Sequence, residues 1–167
     1  MKLLVYMLKQ DDPKKCTAAK LVHFRIASSV RKIPRRSLVL NPFSDFVLCK
    51  SDAMLANAIT VIDCSWERIT KTFNQNFLGI NRKLPLLLAA NPVNYSKLGK
   101  LSSAEALAGA LSILGFNDLA FEVMNKFKWG HTFFELNGEL LKEYANAGDP
   151  DEIQRIQKEY FVIEGKP

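Results

Sequence analysis

The residues best equipped for chemistry lie in one short stretch, residues 58–68. Asp63 follows the apolar run Ile59-Thr60-Val61-Ile62, and Trp66 comes three residues later. An apolar, β-branched run of this length reads as a buried parallel strand. Its carboxyl end then presents a carboxylate, and the next turn presents an indole. In open parallel sheets ligands bind in the crevice beyond the carboxyl ends of the strands. An Asp and a Trp there suit a ligand that is part cation and part flat ring. The same residues also fit a plainer arrangement, with Asp63 or Ser65 capping a helix and Trp66 in a core. A second stretch, residues 84–106, runs from a buried apolar segment through an Asn/Pro/Tyr/Gly loop into Ser102-Ser103-Ala104-Glu105, a capping box. Loops of this kind expose backbone N–H and C=O groups that suit adenine, and they also serve as ordinary β-to-α connections.

Several chemistries are excluded. No glycine precedes Gly79, so no G-x-G-x-x-G follows the first strand, and no G-x-x-x-x-G-K-[ST] occurs anywhere. A nucleotide-like ligand would bind without a glycine-rich phosphate cradle, which favours one lacking phosphates, such as S-adenosylmethionine. His23 and His131 are isolated, and Cys16, Cys49 and Cys64 form no C-x-x-C pair. No metal is expected, and the odd, scattered cysteines fit reduced thiols in a cytoplasmic protein. The apolar runs at residues 3–8 and 84–90 are far too short to span a membrane. The first is followed at once by Lys9-Gln10-Asp11-Asp12, unlike a signal peptide.

Charge is unevenly spread. Of the net +6 over 167 residues, residues 1–50 carry +8 and the remainder −2. A basic front on a mildly acidic body points to a polyanion partner. The tight cluster Arg31-Lys32-Ile33-Pro34-Arg35-Arg36 favours nucleic acid over a merely solvated face. Pro34 argues against a basic membrane-surface helix.

These residues must be positioned by an alternating α/β half. Patterning predicts strands at 2–8, 37–40, 45–49, 59–62 and 84–89. It predicts helices from a Thr17 cap to about residue 24, at 51–57 and from 65 to 73. Beyond Asn91-Pro92 only helices are expected: from Ser102 to near Gly115, 117–127, 132–147, and one capped by Asp149 with Pro150 in its first turn. The expected organisation is therefore an α/β domain at 1–90, built on a mostly parallel sheet, and a helical domain at 91–167.

The ordered set of motifs resembles the ribosomal-RNA aminocarboxypropyltransferase family. It comprises Asp11-Asp12-Pro13-Lys14-Lys15-Cys16-Thr17 with Lys20-Leu21, Asn41-Pro42, and Val61-Ile62-Asp63-Cys64-Ser65-Trp66. It continues with Leu84-Pro85, residues 89–95, residues 100–106, and Trp129-Gly130-His131 with Phe133. The resemblance spans nearly the whole chain. It implies a SPOUT-like fold with a trefoil knot, a feature too rare to expect from pattern. It also implies transfer of the 3-amino-3-carboxypropyl group of S-adenosylmethionine to N3 of a (N1-methyl)pseudouridine in small-subunit rRNA. The expected partner is the pre-ribosomal small subunit, and the chain is expected to act as a monomer. By carry-over, Thr17 holds the carboxylate end of the methionine moiety and Ile62 meets the ribose through its backbone. Asp63 lies near the sulfonium, and Trp66 lies against the methyl. Leu84, Gly99 and Ser103 frame the adenine. Gly99 departs from the bulkier residue expected there, and Ser103 replaces the more usual Thr.

Physical chemistry is consistent with these roles. A carboxylate attracts a sulfonium, and an indole face over a methyl-sulfonium is worth ~0.5–2 kcal/mol. All three carbons on sulfur are electrophilic, so positioning selects which one reacts. Asp63 is the candidate base for the N3 proton, with the assignment left open because the sulfonium competes for the same carboxylate. Lys14, Lys15, Arg25, Arg31, Lys32, Arg35 and Arg36 are the expected phosphate contacts. The rival readings are a knotted RNA methyltransferase and a non-catalytic RNA-binding assembly factor.

Overall fold

The computed structural model describes residues 1–8, 16–73 and 77–161. Its centre is a strand with no exposed residue, β4 (Ala58–Asp63), as its apolar, β-branched run requires. Around it are β1 (Lys2–Met7), β2 (Ser28–Val30), β3 (Ser37–Leu40) and β5 (Ile80–Arg82), in the order β2-β1-β4-β3-β5. Every pairing is parallel. β1 and β4 pair throughout, with Lys2 beside Ala58 and Met7 beside Asp63. Asp63 therefore ends the middle strand at the carboxyl edge of the sheet.

Alternation along the strands divides two faces. Leu3, Val5, Leu38, Leu40, Ile59 and Val61 enter the main core, which α1 (Thr17–His23) and α3 (Ser103–Ile113) cover. Val39 and Ile62 point the other way into a small cluster with Ile33, beside Tyr6, Phe73 and Phe77. On that second face the Ser37 and Thr60 hydroxyls pair at 2.6 Å, so neither buried oxygen goes unsatisfied. The helical half adds α4 (Asn117–Met124), α5 (Gly130–Asn146) and α6 (Pro150–Tyr160), and the main core runs from Leu3 without a break to Ile156. α3 is buried on almost every side, as an Ala/Leu-rich helix without charge apart from Glu105 must be. The Ser102–Glu105 capping box and the Asp149 cap with Pro150 are both present.

The sheet differs from expectation at both ends of its sequence. Residues 84–89 are not a sheet strand. Their backbone is taken instead by side chains of the helical half and by the main chain of residues 96–99, where Leu88 makes an antiparallel bridge to Leu98 and Ser96 N–H donates to Ala89 O at 2.7 Å. Leu86 N–H donates to Gln157 Oε1 at 2.8 Å and Leu88 N–H to Asn137 Oδ1 at 2.8 Å. Tyr144 O–H donates to Leu86 O at 3.0 Å, and Asn137 Nδ2 returns a bond to Leu88 O at 2.9 Å. Pro85 can donate nothing to a ladder, and Gly109 of α3 permits the close approach: a Cβ there would meet Leu87 at 2.8 Å. Residues 45–49 contribute only one bridge, Val47 to Lys83. The edge strands β2 and β5, three residues each, are too short and too polar for the patterning to reveal. Residues 51–57 contain the end of a 3-10 helix, Lys50–Met54. The helix expected from Ser65 is α2 (Ile69–Phe73), preceded by a turn closed by Arg68 N–H to Ser65 O. α2 therefore starts four residues after Ser65 and six after Asp63. Lys14 and Lys15 lie outside the described residues.

Candidate active site

Cys16, not Thr17, caps α1: its sulfur accepts the Ala19 N–H at 3.3 Å. Its thiol donates to Asp63 Oδ1 at 3.1 Å. Burial, reinforced by that carboxylate, pushes the Cys16 thiol up to about 11 from an ordinary 9.0, so it remains a donor at neutral pH. Asp63, 5% exposed, is thereby oriented at the end of β4 by a hydrogen bond from another element. Thr17 Oγ1 accepts the Ala104 N–H at 3.3 Å and so ties α1 to the start of α3.

Trp66 is half-buried, with its indole N–H donating to Leu101 O at 3.0 Å. The Lys100 ammonium lies over the ring, 4.7 Å from its centroid, so one face of the indole already carries a cation. Gly99 explains itself by backbone: its φ is +71°, a conformation that penalises a side chain, and its N–H donates to Leu87 O at 2.9 Å. The departure from a bulkier residue therefore reflects a left-handed turn in the loop.

The loop carrying Gly99 is fastened by a buried carboxylate. Glu105, fully buried, accepts from Ala90 N–H at 2.6 Å and Asn91 N–H at 3.0 Å through one oxygen. It accepts from Asn91 Nδ2 and Ser102 N–H, both at 2.7 Å, through the other. One side chain thus pins the beginning and the end of residues 91–102.

These parts surround one cavity of about 1770 Å³ at the carboxyl edge of the sheet. All seven residues expected to hold the cofactor line it: Thr17, Ile62, Asp63, Trp66, Leu84, Gly99 and Ser103. So do Cys16, Asn91 and Trp129, whose contributions sequence alone did not assign. The residue set fits a sulfonium nucleoside: an oriented buried carboxylate, an indole, a hydroxyl, and a loop with turned-in backbone.

The expected RNA contacts are not brought together. Arg36 directly precedes β3, and its carbonyl accepts the Asn57 N–H at 3.2 Å, at the amino edge of the sheet. At ~3.3 Å per residue, the length of β4 separates that edge from Asp63 by about 16 Å. Arg35 and Arg25 share the amino edge, whereas Arg31 and Lys32 follow β2 at the carboxyl edge, two strands from β4. All five are exposed and none lines the cavity. Among the described residues, the cations that line it are Lys20, Arg68, Arg82, Lys83, Lys97, Lys100 and Lys158, against Asp45, Asp52, Asp63 and Glu67. They are scattered in sequence, so no local charge run reveals them.

Comparison with known proteins places this architecture first in a class. The family model described as "Ribosome biogenesis protein, C-terminal" matches residues 38–161. The 16S rRNA aminocarboxypropyltransferase of Methanosarcina acetivorans is 44% identical over 164 residues, covering 95% of this chain and 94% of that one. The protein of the same name from Thermoplasma volcanium is 46% identical over 157 residues, covering 92% and 94%. A solved structure, that of the SAM-dependent rRNA:acp-transferase Tsr3 from Vulcanisaeta distributa, matches with a TM-score of 0.82 at 37% identity, covering 94% of this chain and 96% of that chain. The chain belongs to the 16S rRNA aminocarboxypropyltransferase family, a family of transferases.

Proposed function

We propose that this chain transfers the 3-amino-3-carboxypropyl group of S-adenosylmethionine to N3 of a (N1-methyl)pseudouridine in small-subunit rRNA during ribosome biogenesis. The observation that carries the reading is the convergence of seven residues from four separate stretches on one cavity, with Asp63 at the end of the central strand. S-adenosylmethionine, when bound, supplies a sulfonium whose aminocarboxypropyl carbon accepts the N3 electron pair while the carbon–sulfur pair stays on sulfur and the N3 proton leaves. Asp63 holds the cationic end, and the Cys16 thiol fixes the carboxylate's orientation. Trp66 walls off the smallest sulfur substituent, so positioning selects the longer chain for reaction. Thr17 receives the amino-acid carboxylate. Ile62 meets the ribose, and Leu84, Gly99 and Ser103 frame the adenine. Asp63 is the candidate base for the N3 proton, its carboxylate shared with the Cys16 thiol and the sulfonium. In this reading the fold is SPOUT-like, the cofactor sits in a trefoil knot, and the chain acts as a cytoplasmic monomer on the pre-ribosomal small subunit.

The test uses cofactor labelled either in the methyl group or in the methionine carboxylate, incubated with the protein and small-subunit rRNA. Carboxylate label in the RNA is the expected result. Methyl label would make the chain a methyltransferase, and no label in either case would make it a non-catalytic RNA binder.

A further inference from the structure

The loop after β3 holds two phenyl rings in water: Phe43, 55% exposed, and Phe46, 67% exposed. A single exposed Phe is ordinary. Phe46 differs because it is held in place. Its carbonyl accepts the Lys83 N–H at 2.9 Å, and its N–H donates to Ser44 Oγ at 3.2 Å. The Arg82 guanidinium lies 5.5 Å from its ring centroid. That guanidinium is itself committed. Its Nε reaches both Asp52 oxygens at 3.0 and 3.1 Å, Nη2 reaches Asp52 Oδ1 at 3.0 Å, and Nη1 reaches Asn81 O at 2.9 Å. Arg82 is thus a fixed backing for the ring, with few donors left for a phosphate. Phe46 also lines the cavity that holds Asp63 and Trp66. At about 1770 Å³ that cavity exceeds the roughly 300–1,000 Å³ of a small-molecule site, so a cofactor leaves room beside it for a nucleotide.

Resting on the transferase reading, we propose that Phe46, braced by Arg82, is a stacking platform for an unpaired base of the rRNA segment presented to the cavity. A rigid ring with an exposed surface offers a base what RNA-binding proteins use on single strands: a π-face that tolerates any sequence. Burying that ring also removes apolar surface from water. Lys83 and Lys97, which line the same cavity, supply charge complementary to the flanking phosphates.

Fluorescence anisotropy with a labelled single-stranded oligoadenylate tests this over a series of salt concentrations. Phe46→Ala is expected to bind about 5- to 150-fold more weakly. Its log–log salt slope should match the parent's, since no phosphate partner is removed. Phe46→Trp should restore binding, and S-adenosylmethionine affinity should be unchanged in both. Parental RNA affinity in Phe46→Ala, as a ring serving a protein partner would give, overturns the proposal. So does a parallel loss of cofactor binding. The label-transfer assay reports separately on the transferase reading, because oligoadenylate binding needs no turnover.

Discussion

Burial of Cys16 couples the end of β4 to pH. Its thiol is held near 11 against an ordinary 9.0, so the folded state keeps the proton more tightly than the unfolded chain. That contribution is complete below pH 9 and is lost as pH rises through about 11. Urea melts from pH 8 to 11 should therefore show Cys16→Ala losing less stability with rising pH than the parent. Tyr144, whose burial also raises its hydroxyl, titrates in both proteins and cancels in the comparison. At Asp63 the expectation concerns charge: Asp63→Ala should weaken S-adenosylmethionine by more than its thioether product, as read by calorimetry. Equal losses would remove the electrostatic role. Trp66→Ala gives up both the ring and the bond to Leu101 O and should lose most cofactor binding.

Among the elements, residues 84–102 depend most on side chains far away in the chain. Glu105 satisfies four donors there with two oxygens. Glu105→Gln would turn an amide NH₂ toward two of them and leave them without an acceptor. At ~1–3 kcal/mol for each buried unsatisfied donor, a loss of about 2–6 kcal/mol follows, measurable as a lowered urea midpoint. Because the fastened loop lines the cavity, S-adenosylmethionine affinity should fall in the fraction that remains folded. β4, by contrast, is held by ladders on both edges, and its apolar side chains fill both faces of the sheet.

At the scale of the whole molecule, charge is distributed by the fold and not by the run of sequence. Arg35 and Arg36 stand at the edge of the sheet opposite Asp63, while Lys97 and Lys158 line the cavity. A target base inside the cavity brings its flanking phosphates to the mouth. Replacing Lys97 and Lys158 together by Gln should reduce the salt slope of single-stranded RNA binding by about 0.7 for each phosphate no longer neutralised. The pair Arg35→Gln with Arg36→Gln should leave that slope nearly unchanged. The opposite ranking would return the RNA to the amino edge of the sheet.

The strand at residues 59–62, the capping box at Ser102 and the Asp149–Pro150 helix start were legible because each signal is local: an apolar run, a cap, a fixed φ. The seven cofactor candidates came from motif resemblance, and their convergence on one cavity required the fold. Residues 84–89 show the limit. Their composition is that of a buried strand, and composition alone does not reveal whether a neighbouring strand or the side chains of Asn137, Tyr144 and Gln157 will take up the backbone. The Cys16–Asp63 bond, the three bonds from Ala90 and Asn91 to Glu105 and the gathering of scattered cations at the cavity likewise join residues that no local pattern pairs. Local patterning determined which segments are buried; only the tertiary structure decided what each buried polar group meets there, because those partners are set by packing and not by spacing.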